Sequence, residues 1–364
     1  MTGTKKINIA IDVSPLTNGN ASRGVGYYTK SLIDHLQKET TGNPQYKNFV
    51  ISYIQNPHIS LSNFDLVHYP YFDIYSRTLP ARQSIPTIVT VYDLIPRQFK
   101  AHYPPGIKGE INWLFQKHRL LQADLVITCS DYSKFQINRL TGYPLDRIYT
   151  VYAAPDTGFR VVSDPKLLKT IRQKYQLPPK FVLYVGDVNW NKNLPALVTT
   201  CLELHYPLVI VGKAAARENV INHIENSDLL WLRNQYSQLS QHSSPPLILT
   251  GFVPDDDLPV IYNLATIYCQ PSFAEGFGMP LVQAMACGCP VIYSQHTSMP
   301  EIVDQNGLPF DPYKPLSLKT SLRRLWTNST LRHHFARLGL ERSHIFNWQK
   351  SALQTLAVYQ LATT

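Results

Sequence analysis

The chain repeats one pattern: a short apolar run, a loop with glycine or proline, and a segment with helical spacing. The apolar runs of the first series span residues 7–13, 48–54, 66–68, 87–92 and 125–129. Those of the second series span residues 181–185, 208–211, 247–250, 267–269 and 291–293. Strands that alternate with helices form parallel sheets with helices on both faces. The sequence therefore predicts an α/β protein with two doubly wound, Rossmann-like domains.

The length supports two domains, because 364 residues are many for a single core. The segment 154–179 has several prolines and few apolar runs, which is typical of a connection between domains. We predict an N-terminal domain at residues 1–165, a second domain at 166–343 and a last helical segment at 344–364.

Composition narrows the class of protein. Hydrophobic residues make up 44% of the chain and charged residues 16%, which indicates a globular protein. The net charge of +9 is compatible with nucleic acid, an anionic membrane face or anionic small ligands. Nucleic acid is the weakest of the three, because basic runs with interleaved aromatic residues are not evident. The few cysteines, and a first strand without a preceding signal-peptide pattern, favour a cytoplasmic protein.

The stretch 270–290 carries the strongest local signal. A small-residue loop contains a single carboxylate, Glu275, and leads into a helix predicted at Met279–Ala286. Pro280 suits the first turn of that helix, and Gly288 and Pro290 suit its end. The free N–H groups of a glycine-flanked helix start bind phosphate and other anions. An ordinary strand–loop–helix turn is the alternative interpretation.

Other polar and glycine residues follow the remaining strands. Ligands of open α/β sheets bind beyond the carboxyl ends of the strands, so these residues can line one cleft. The first glycine loop, residues 14–26, lacks the complete G-x-G-x-x-G spacing, which argues against a nicotinamide oxidoreductase. The residues that follow strands in this way are Gly24, Asp93, Lys192, Lys213, Val253 and Glu275.

Several motifs together resemble the family-4 glycosyltransferases. They are RGVGYY, TIVTVYDLIP, CSDYSKFQI, YVGDVNWNKNL, the run at residues 251–292, and SMPEIV. The resemblance implies the GT-B fold, in which two doubly wound domains face each other and the last helix crosses back to the N-terminal domain. It also implies a retaining, metal-independent transfer of a sugar from a nucleotide-sugar to a glycan or lipid-linked acceptor, with the acceptor on the N-terminal side.

The resemblance assigns roles to particular residues. The catalytic residues it implies are Glu275, Lys192, Tyr92 and Asp93. The donor-binding residues it implies are Gly24, Gly26, Gly186, Asn191, Lys192, Lys213, Val253, Glu275, Phe277, Gly278, Met279, Leu281 and Gln283. Lysine and backbone N–H groups can stabilise a diphosphate leaving group, with Arg217 as a further cation. No cofactor is expected.

The chain departs from the family pattern at three positions. Gln283 stands where the family has a second glutamate, which we expect to weaken donor binding about tenfold, since neutral hydrogen bonds contribute less than charged ones. Asn191 stands where a basic residue is usual, and Tyr92 where a histidine is common. We expect a variant but active transferase for cell-envelope polysaccharide assembly. The alternative is a GT-B scaffold that binds nucleotide-sugars without turnover.

Four further features have two interpretations each. The acidic run at 255–257 could bind a metal, but helix capping explains it better. His333 and His334 fit a solvated basic face better than a metal site. His68 and His102 could line the acceptor side or be structural. The basic and aromatic segment 108–119 could touch an anionic membrane surface peripherally, although an ordinary packed helix is the simpler interpretation.

Overall fold

The computed structural model describes residues 5–19, 21, 24–55, 60–213, 215, 223, 226–240 and 246–364. The chain divides into two compact units, Met1–Ala154 with Phe346–Thr364 (unit 1) and Pro155–Ile345 (unit 2). The boundary between them falls before the predicted residue 165. The reason is that Asn263 of unit 2 accepts from the Val162 N–H at 2.8 Å and donates to the Arg160 carbonyl at 2.9 Å.

Unit 1 is built on a parallel sheet in the order β2-β1-β3-β4-β5-β6. Its strands are β1 (Ile7–Asp12), β2 (Phe49–Ile54), β3 (Leu66–Tyr69), β4 (Thr87–Thr90), β5 (Leu125–Thr128) and β6 (Ile148–Thr150). Its helices are α1 (Gly24–Gly42), α2 (Ile95–Gln98), α3 (Gly106–Leu121), α4 (Asp131–Thr141) and, from the end of the chain, α13 (Trp348–Thr363).

Unit 2 holds a second parallel sheet, in the order β12-β11-β10-β7-β8-β9. Its strands are β7 (Val182–Val185), β8 (Leu208–Val211), β9 (Leu247–Gly251), β10 (Ile267–Gln270), β11 (Val291–Ser294) and β12 (Leu308–Phe310). Its helices are α5 (Pro165–Lys174), α6 (Leu194–Leu204), α7 (Ser227–Leu239), α8 (Leu258–Leu264), α9 (Met279–Ala286), α10 (Met299–Val303), α11 (Pro315–Thr327) and α12 (Ser329–Ser343).

The two sheets confirm the predicted α/β architecture, and both are buried by apolar side chains of the strands. In unit 2 the core joins residues such as Val182, Ile210 and Ile267 to helix residues such as Leu197 and Leu322. Nearly continuous apolar strands are what a parallel sheet covered on both faces requires. Among the described residues, no helix has the length and apolar character that would let it cross a membrane.

The start of α1 differs from the prediction. Gly24 and Gly26 were expected in the loop after β1, but α1 begins at Gly24, so both lie in its first turn. The N–H groups of a first turn have no partner within the helix. Arg23 of the same motif lies outside the described residues.

His68 on β3 is a structural residue of unit 1. Its ring is fully buried, with Nδ1 at 2.6 Å from the Tyr359 hydroxyl on α13 and Nε2 at 2.8 Å from Thr90 Oγ1 on β4. Burial lowers the pKa of His68 from 6.5 to about 3, so the ring is neutral near pH 7. Of the two sequence interpretations, the structural one is therefore correct.

We expect His68 to make unit 1 sensitive to acid. In the unfolded chain its pKa returns to about 6.5, so the unfolded state binds an extra proton as the pH falls below that value. Between pH 7 and pH 5.5 the wild type should lose about 1 kcal/mol more unfolding free energy than His68→Gln. Urea unfolding at both pH values measures this difference, and the exposed His333→Gln serves as the control. Equal pH dependence in His68→Gln and the wild type contradicts the account.

Candidate active site

The candidate site lies where the strand order of unit 2 reverses. The chain runs from β7 outward through β8 and β9, then returns to place β10 on the other side of β7. The loops after β7 and β10 therefore leave neighbouring strands in opposite directions, which opens a crevice at the carboxyl edge of the sheet. The first loop carries Lys192 at the end of a 3-10 turn, Trp190–Lys192, and the second carries Glu275.

Lys192 and Glu275 form an ion pair in this crevice. The Lys192 ammonium lies 2.9 Å from Oε1 and 2.8 Å from Oε2 of Glu275. The lysine side chain is 21% exposed and the glutamate side chain 8%. Removal of either partner from a buried pair leaves an uncompensated charge. The two residues that the sequence predicted as central are thus in direct contact.

Two further side chains fix the Glu275 carboxylate. Gln270 Nε2 donates to Oε1 at 2.7 Å and the Ser272 hydroxyl donates to the same oxygen at 2.6 Å. Gln270 is itself oriented by the Tyr268 hydroxyl, which donates to its Oε1. Hydrogen bonds to a charged acceptor such as this carboxylate are stronger than hydrogen bonds between neutral groups. The carboxylate is therefore held in one orientation from the strand side, while Lys192 approaches from the neighbouring loop.

The loop between β11 and α10 holds the backbone of Glu275. The Glu275 N–H donates to Thr297 Oγ1 at 3.0 Å. The Ser298 hydroxyl donates to the Glu275 carbonyl at 2.9 Å and to the Phe277 carbonyl at 3.1 Å. Thr297 has φ +61°, a left-handed conformation that is a strong outlier for a β-branched residue. A strained residue thus supplies the acceptor for Glu275.

Two asparagines join the loop after β7 to the loop after β10. Asn191 Nδ2 donates to the Ala274 carbonyl at 2.9 Å, and the backbone carbonyl of Asn191 accepts from the Phe273 N–H at 2.8 Å. Asn193 Nδ2 donates to the Pro271 carbonyl at 3.1 Å. Asn191 is buried, and its amide bridges these two loops. Its predicted phosphate contact stays a prediction, but the observed bonds give the residue a structural reason to be an asparagine.

The helix start predicted at Met279 is confirmed. Gly278 adopts φ +95° as the residue before α9, a conformation that favours glycine. The side chains of Phe277 and Leu281 are buried, and Met279 is half-buried. Because these side chains pack inward, the groups that this turn can offer a ligand are chiefly backbone N–H groups.

Gln283 lies in the second turn of α9, half-buried. Its Oε1 accepts from the Tyr262 hydroxyl of α8 at 3.2 Å. The contact uses one of the two hydrogen bonds that an amide oxygen can accept. The predicted weakening of donor binding at this position stays a prediction.

The ends of β7 and β8 meet closely beside the crevice. A Cβ at Gly212 would lie 2.3 Å from the carbonyl oxygen of Gly186, so only glycine fits there. Lys213 follows directly and is exposed. In the next loop Val253 is buried, and the exposed side chain is Phe252 at 68%. The side chain that this loop presents to solvent is therefore that of Phe252, and the predicted donor contact of Val253 stays a prediction. Arg217 lies outside the described residues.

The predicted catalytic residues of unit 1 follow β4. The Tyr92 hydroxyl donates to the Pro70 carbonyl at 2.8 Å, and burial raises its pKa well above 10. The Tyr92 hydroxyl therefore stays protonated near pH 7 and is even less available as a base than an exposed tyrosine hydroxyl. Asp93 Oδ1 accepts from the Ile95 N–H at 3.0 Å at the start of α2.

The acidic run before α8 was predicted to cap that helix, and this is wrong for its last member. Asp257 makes no side-chain capping bond. It pairs instead with Lys174 Nζ at 2.6 Å and accepts from the Tyr175 hydroxyl at 2.7 Å, which ties α8 to the end of α5. His333 and His334 are exposed on α12, as predicted. Within the described residues, there is no group of three or more His, Cys, Asp or Glu side chains that could hold a metal ion.

The sequence did not identify the residues that support Glu275. They are Gln270, Ser272, Asn193, Thr297 and Ser298. The one signal that could have found them is polarity, since Gln270 and Ser272 interrupt an apolar strand end where a buried polar side chain needs a partner.

Comparison with solved structures shows that the chain has the GT-B fold. It is similar to sucrose-phosphate synthase from Thermosynechococcus elongatus, with a TM-score of 0.74, 18% identity, and coverage of 98% of this chain and 99% of that chain. It is also similar to Anabaena HepE, solved in complex with UDP and glucose, with a TM-score of 0.71, 15% identity, and coverage of 98% and 99%.

Sequence comparison defines the family. The family model described as "Glycosyltransferase Family 4" matches residues 38–159, and that described as "Glycosyl transferases group 1" matches residues 169–342. The Escherichia coli O-antigen chain mannosyltransferase B is 32% identical over 248 residues, which are 66% of this chain and 61% of that relative. The chain belongs to the family-4 glycosyltransferases of the group 1 superfamily.

Thr297 provides a test of how Glu275 is held. Thr297→Val keeps the shape but removes the acceptor, so the Glu275 N–H should lose its partner at a cost of about 1–3 kcal/mol. The matched variant Thr297→Ser keeps the hydroxyl and should stay within about 0.5 kcal/mol of the wild type. Denaturant unfolding of both variants measures the difference. Equal stability of the two variants shows that the hydrogen bond is not what holds this loop.

Proposed function

We propose that this chain is a retaining glycosyltransferase that moves a hexose from a nucleotide-sugar to a glycan or lipid-linked acceptor in polysaccharide assembly. The observation that carries the proposal is the Lys192–Glu275 pair at the point where the strand order reverses. The similar Escherichia coli protein is named for mannose and O-antigen, and the Anabaena structure contains UDP and glucose. Mannose and glucose are accordingly the first sugars to test.

The leaving group is the first chemical requirement of this reaction. When the bond between the sugar carbon and the diphosphate oxygen breaks, negative charge develops on the phosphate. In the proposal the Lys192 ammonium and the N–H groups at the start of α9 stabilise that charge. These groups supply the positive charge themselves, so the proposed reaction needs no metal ion.

Glu275 has a different role in the proposal. Its carboxylate is held by Lys192, Gln270 and Ser272, so it is positioned before a substrate arrives. A carboxylate can accept hydrogen bonds from the hydroxyl groups of the donor sugar. It thereby fixes the sugar relative to the leaving phosphate, which lies toward Lys192.

The acceptor proton needs no protein base. In a retaining transfer of this kind the acceptor approaches on the side from which the phosphate departs. The acceptor oxygen forms the new bond to the sugar carbon, and the departing phosphate oxygen takes its proton. Burial raises the pKa of Tyr92, so the residue stays protonated near pH 7 and is not available as a base. The proposed reaction does not require it to be one.

A scaffold that binds nucleotide-sugars without turnover is the second candidate. The contact of Gln283 with Tyr262 favours it, because it uses one of the two hydrogen bonds that the amide oxygen can accept, at a position that we predicted to bind the donor. The two candidates share a binding site but differ in whether the donor bond breaks. Only an assay that detects cleavage of the donor bond separates them.

Donor turnover is the direct test. We expect the wild type to release nucleoside diphosphate from at least one of GDP-mannose, UDP-glucose and dTDP-glucose when a glycan or lipid-linked acceptor is present. Lys192→Met should reduce kcat by about 100-fold or more, the usual effect of removing a group that stabilises developing charge. Lys319→Met removes a surface ion pair with Glu203 and should leave turnover unchanged.

The design separates the outcomes. Because Lys192→Met leaves Glu275 without its partner, its folding is checked by thermal melting and the assay is run below its melting temperature. Equal turnover in Lys192→Met and the wild type contradicts the proposed role of Lys192. Binding of a nucleotide with no turnover of any donor supports the scaffold.

A further inference from the structure

The loops that follow four neighbouring strands of unit 2 bring aromatic rings together. The strands β12, β11, β10 and β7 lie side by side in that order. The loops that follow them carry, in the same order, Tyr313, His296, Phe273 and Trp190. Two of these loops belong to the candidate site, because Trp190 lies two positions before Lys192 and Phe273 lies two positions before Glu275.

Three of the rings are stacked, with Phe273 as the central member. The ring centres of Trp190 and Phe273 are 5.0 Å apart with 23° between the planes, and those of Phe273 and Tyr313 are 5.1 Å apart with 25°. We call these three residues the aromatic stack. The His296 ring meets the Tyr313 ring at 5.3 Å and 86°. Ring pairs at such distances contribute to stability beyond the area that they bury.

Asp311 fixes the loop that carries Tyr313. Its Oδ1 accepts from the Tyr313 N–H at 3.0 Å, and its Oδ2 pairs with Lys314 Nζ at 3.0 Å. The Asp311 N–H donates to Ser317 Oγ of α11 at 2.9 Å. Tyr313 itself is 58% exposed, so burial alone does not account for the position of its ring. The bonds of Asp311 and the contact with Phe273 do.

The contacts between the two loops of the candidate site differ in how a substrate affects them. In the proposed function the Lys192 ammonium stabilises the leaving phosphate, so the phosphate competes with Glu275 for it. The ion pair can therefore weaken during the reaction. The aromatic stack uses none of the residues that the proposed reaction assigns to the substrate, so its contacts between the loops persist throughout.

We propose that the aromatic stack holds the loop of Lys192 and the loop of Glu275 in register, with Tyr313 as a positioning residue of the site. Removal of the Tyr313 ring leaves Phe273 with one stacking partner, so both loops gain freedom. A displacement of about 1 Å in a reacting group can cost about 100-fold in rate. The expected effect on kcat rests on the proposed function, whereas the hold on the loops does not.

Hydrogen exchange of the full chain, measured by mass spectrometry, tests the hold on the loops. We expect Tyr313→Ala to speed amide exchange about two- to tenfold in the segments 187–194 and 271–277, which contain the two loops. Tyr313→Phe keeps the ring and should exchange as the wild type does. The control Leu316→Ala removes a neighbouring side chain with 65% exposure and should also match the wild type.

Turnover of the donor that the wild type accepts tests the effect on the site. Tyr313→Ala should lower kcat about tenfold and change KM less than about threefold, because the stack orients reacting groups and does not bind the donor. Tyr313→Phe should keep kcat within about twofold of the wild type. Phe273→Leu loses both ring pairs and should lower kcat further. Melting temperatures within about 5 °C of the wild type verify folding.

Three results overturn the proposal. The first is exchange at the wild-type rate in both segments of Tyr313→Ala. The second is a wild-type kcat in Tyr313→Ala although exchange is faster. The third is a Tyr313→Phe variant that behaves as Tyr313→Ala does, since the ring is then not what acts. If the wild type turns over none of the donors, the proposed function fails instead, and the exchange rates alone decide whether the stack holds the loops.

Discussion

The ion pair between Lys192 and Glu275 is the interaction around which the candidate site of unit 2 is arranged. Two charges that are largely removed from water cost several kcal/mol each unless both are satisfied by close partners. Here the lysine offers the carboxylate two contacts at 2.8 and 2.9 Å, and Gln270 and Ser272 add neutral donors. The site therefore exists as a formed arrangement in the protein rather than one that a ligand must assemble.

The surrounding backbone is shaped to keep that arrangement. Gly278, Asn193 and Thr297 all have positive φ, at +95°, +51° and +61°. Each lies where a chain segment turns at the edge of the crevice, and two of the three are not glycine. Left-handed backbone at a residue with a side chain costs about 1–3 kcal/mol and persists only where contacts enforce it. Unit 2 thus holds strain at the same place at which it holds the buried charges.

Much of the fold followed from local sequence. The period of the apolar runs predicted both sheets, and Pro280 with Gly288 predicted the limits of α9. The meeting of Lys192 and Glu275 was predictable because each follows a strand, and parallel strands end at one edge.

Contacts across the fold were not predictable in the same way. Asp257 reads as a helix cap, yet it pairs with Lys174, which is 83 positions earlier. The acceptor that Thr297 offers to Glu275 depends on a backbone conformation that the sequence does not reveal.

The most direct test of the account is the contribution of the donor sugar to binding at Glu275. Calorimetric titration would compare a nucleotide-sugar with its nucleoside diphosphate for the wild type and for Glu275→Gln. The account predicts that the wild type binds the nucleotide-sugar more tightly and that Glu275→Gln loses about tenfold of this preference, since a neutral acceptor replaces a charged one. This preference is a ratio of two affinities, so a change in diphosphate binding that the unpaired Lys192 causes cancels from it. An unchanged preference for the nucleotide-sugar in Glu275→Gln would contradict the claim that this carboxylate holds the sugar.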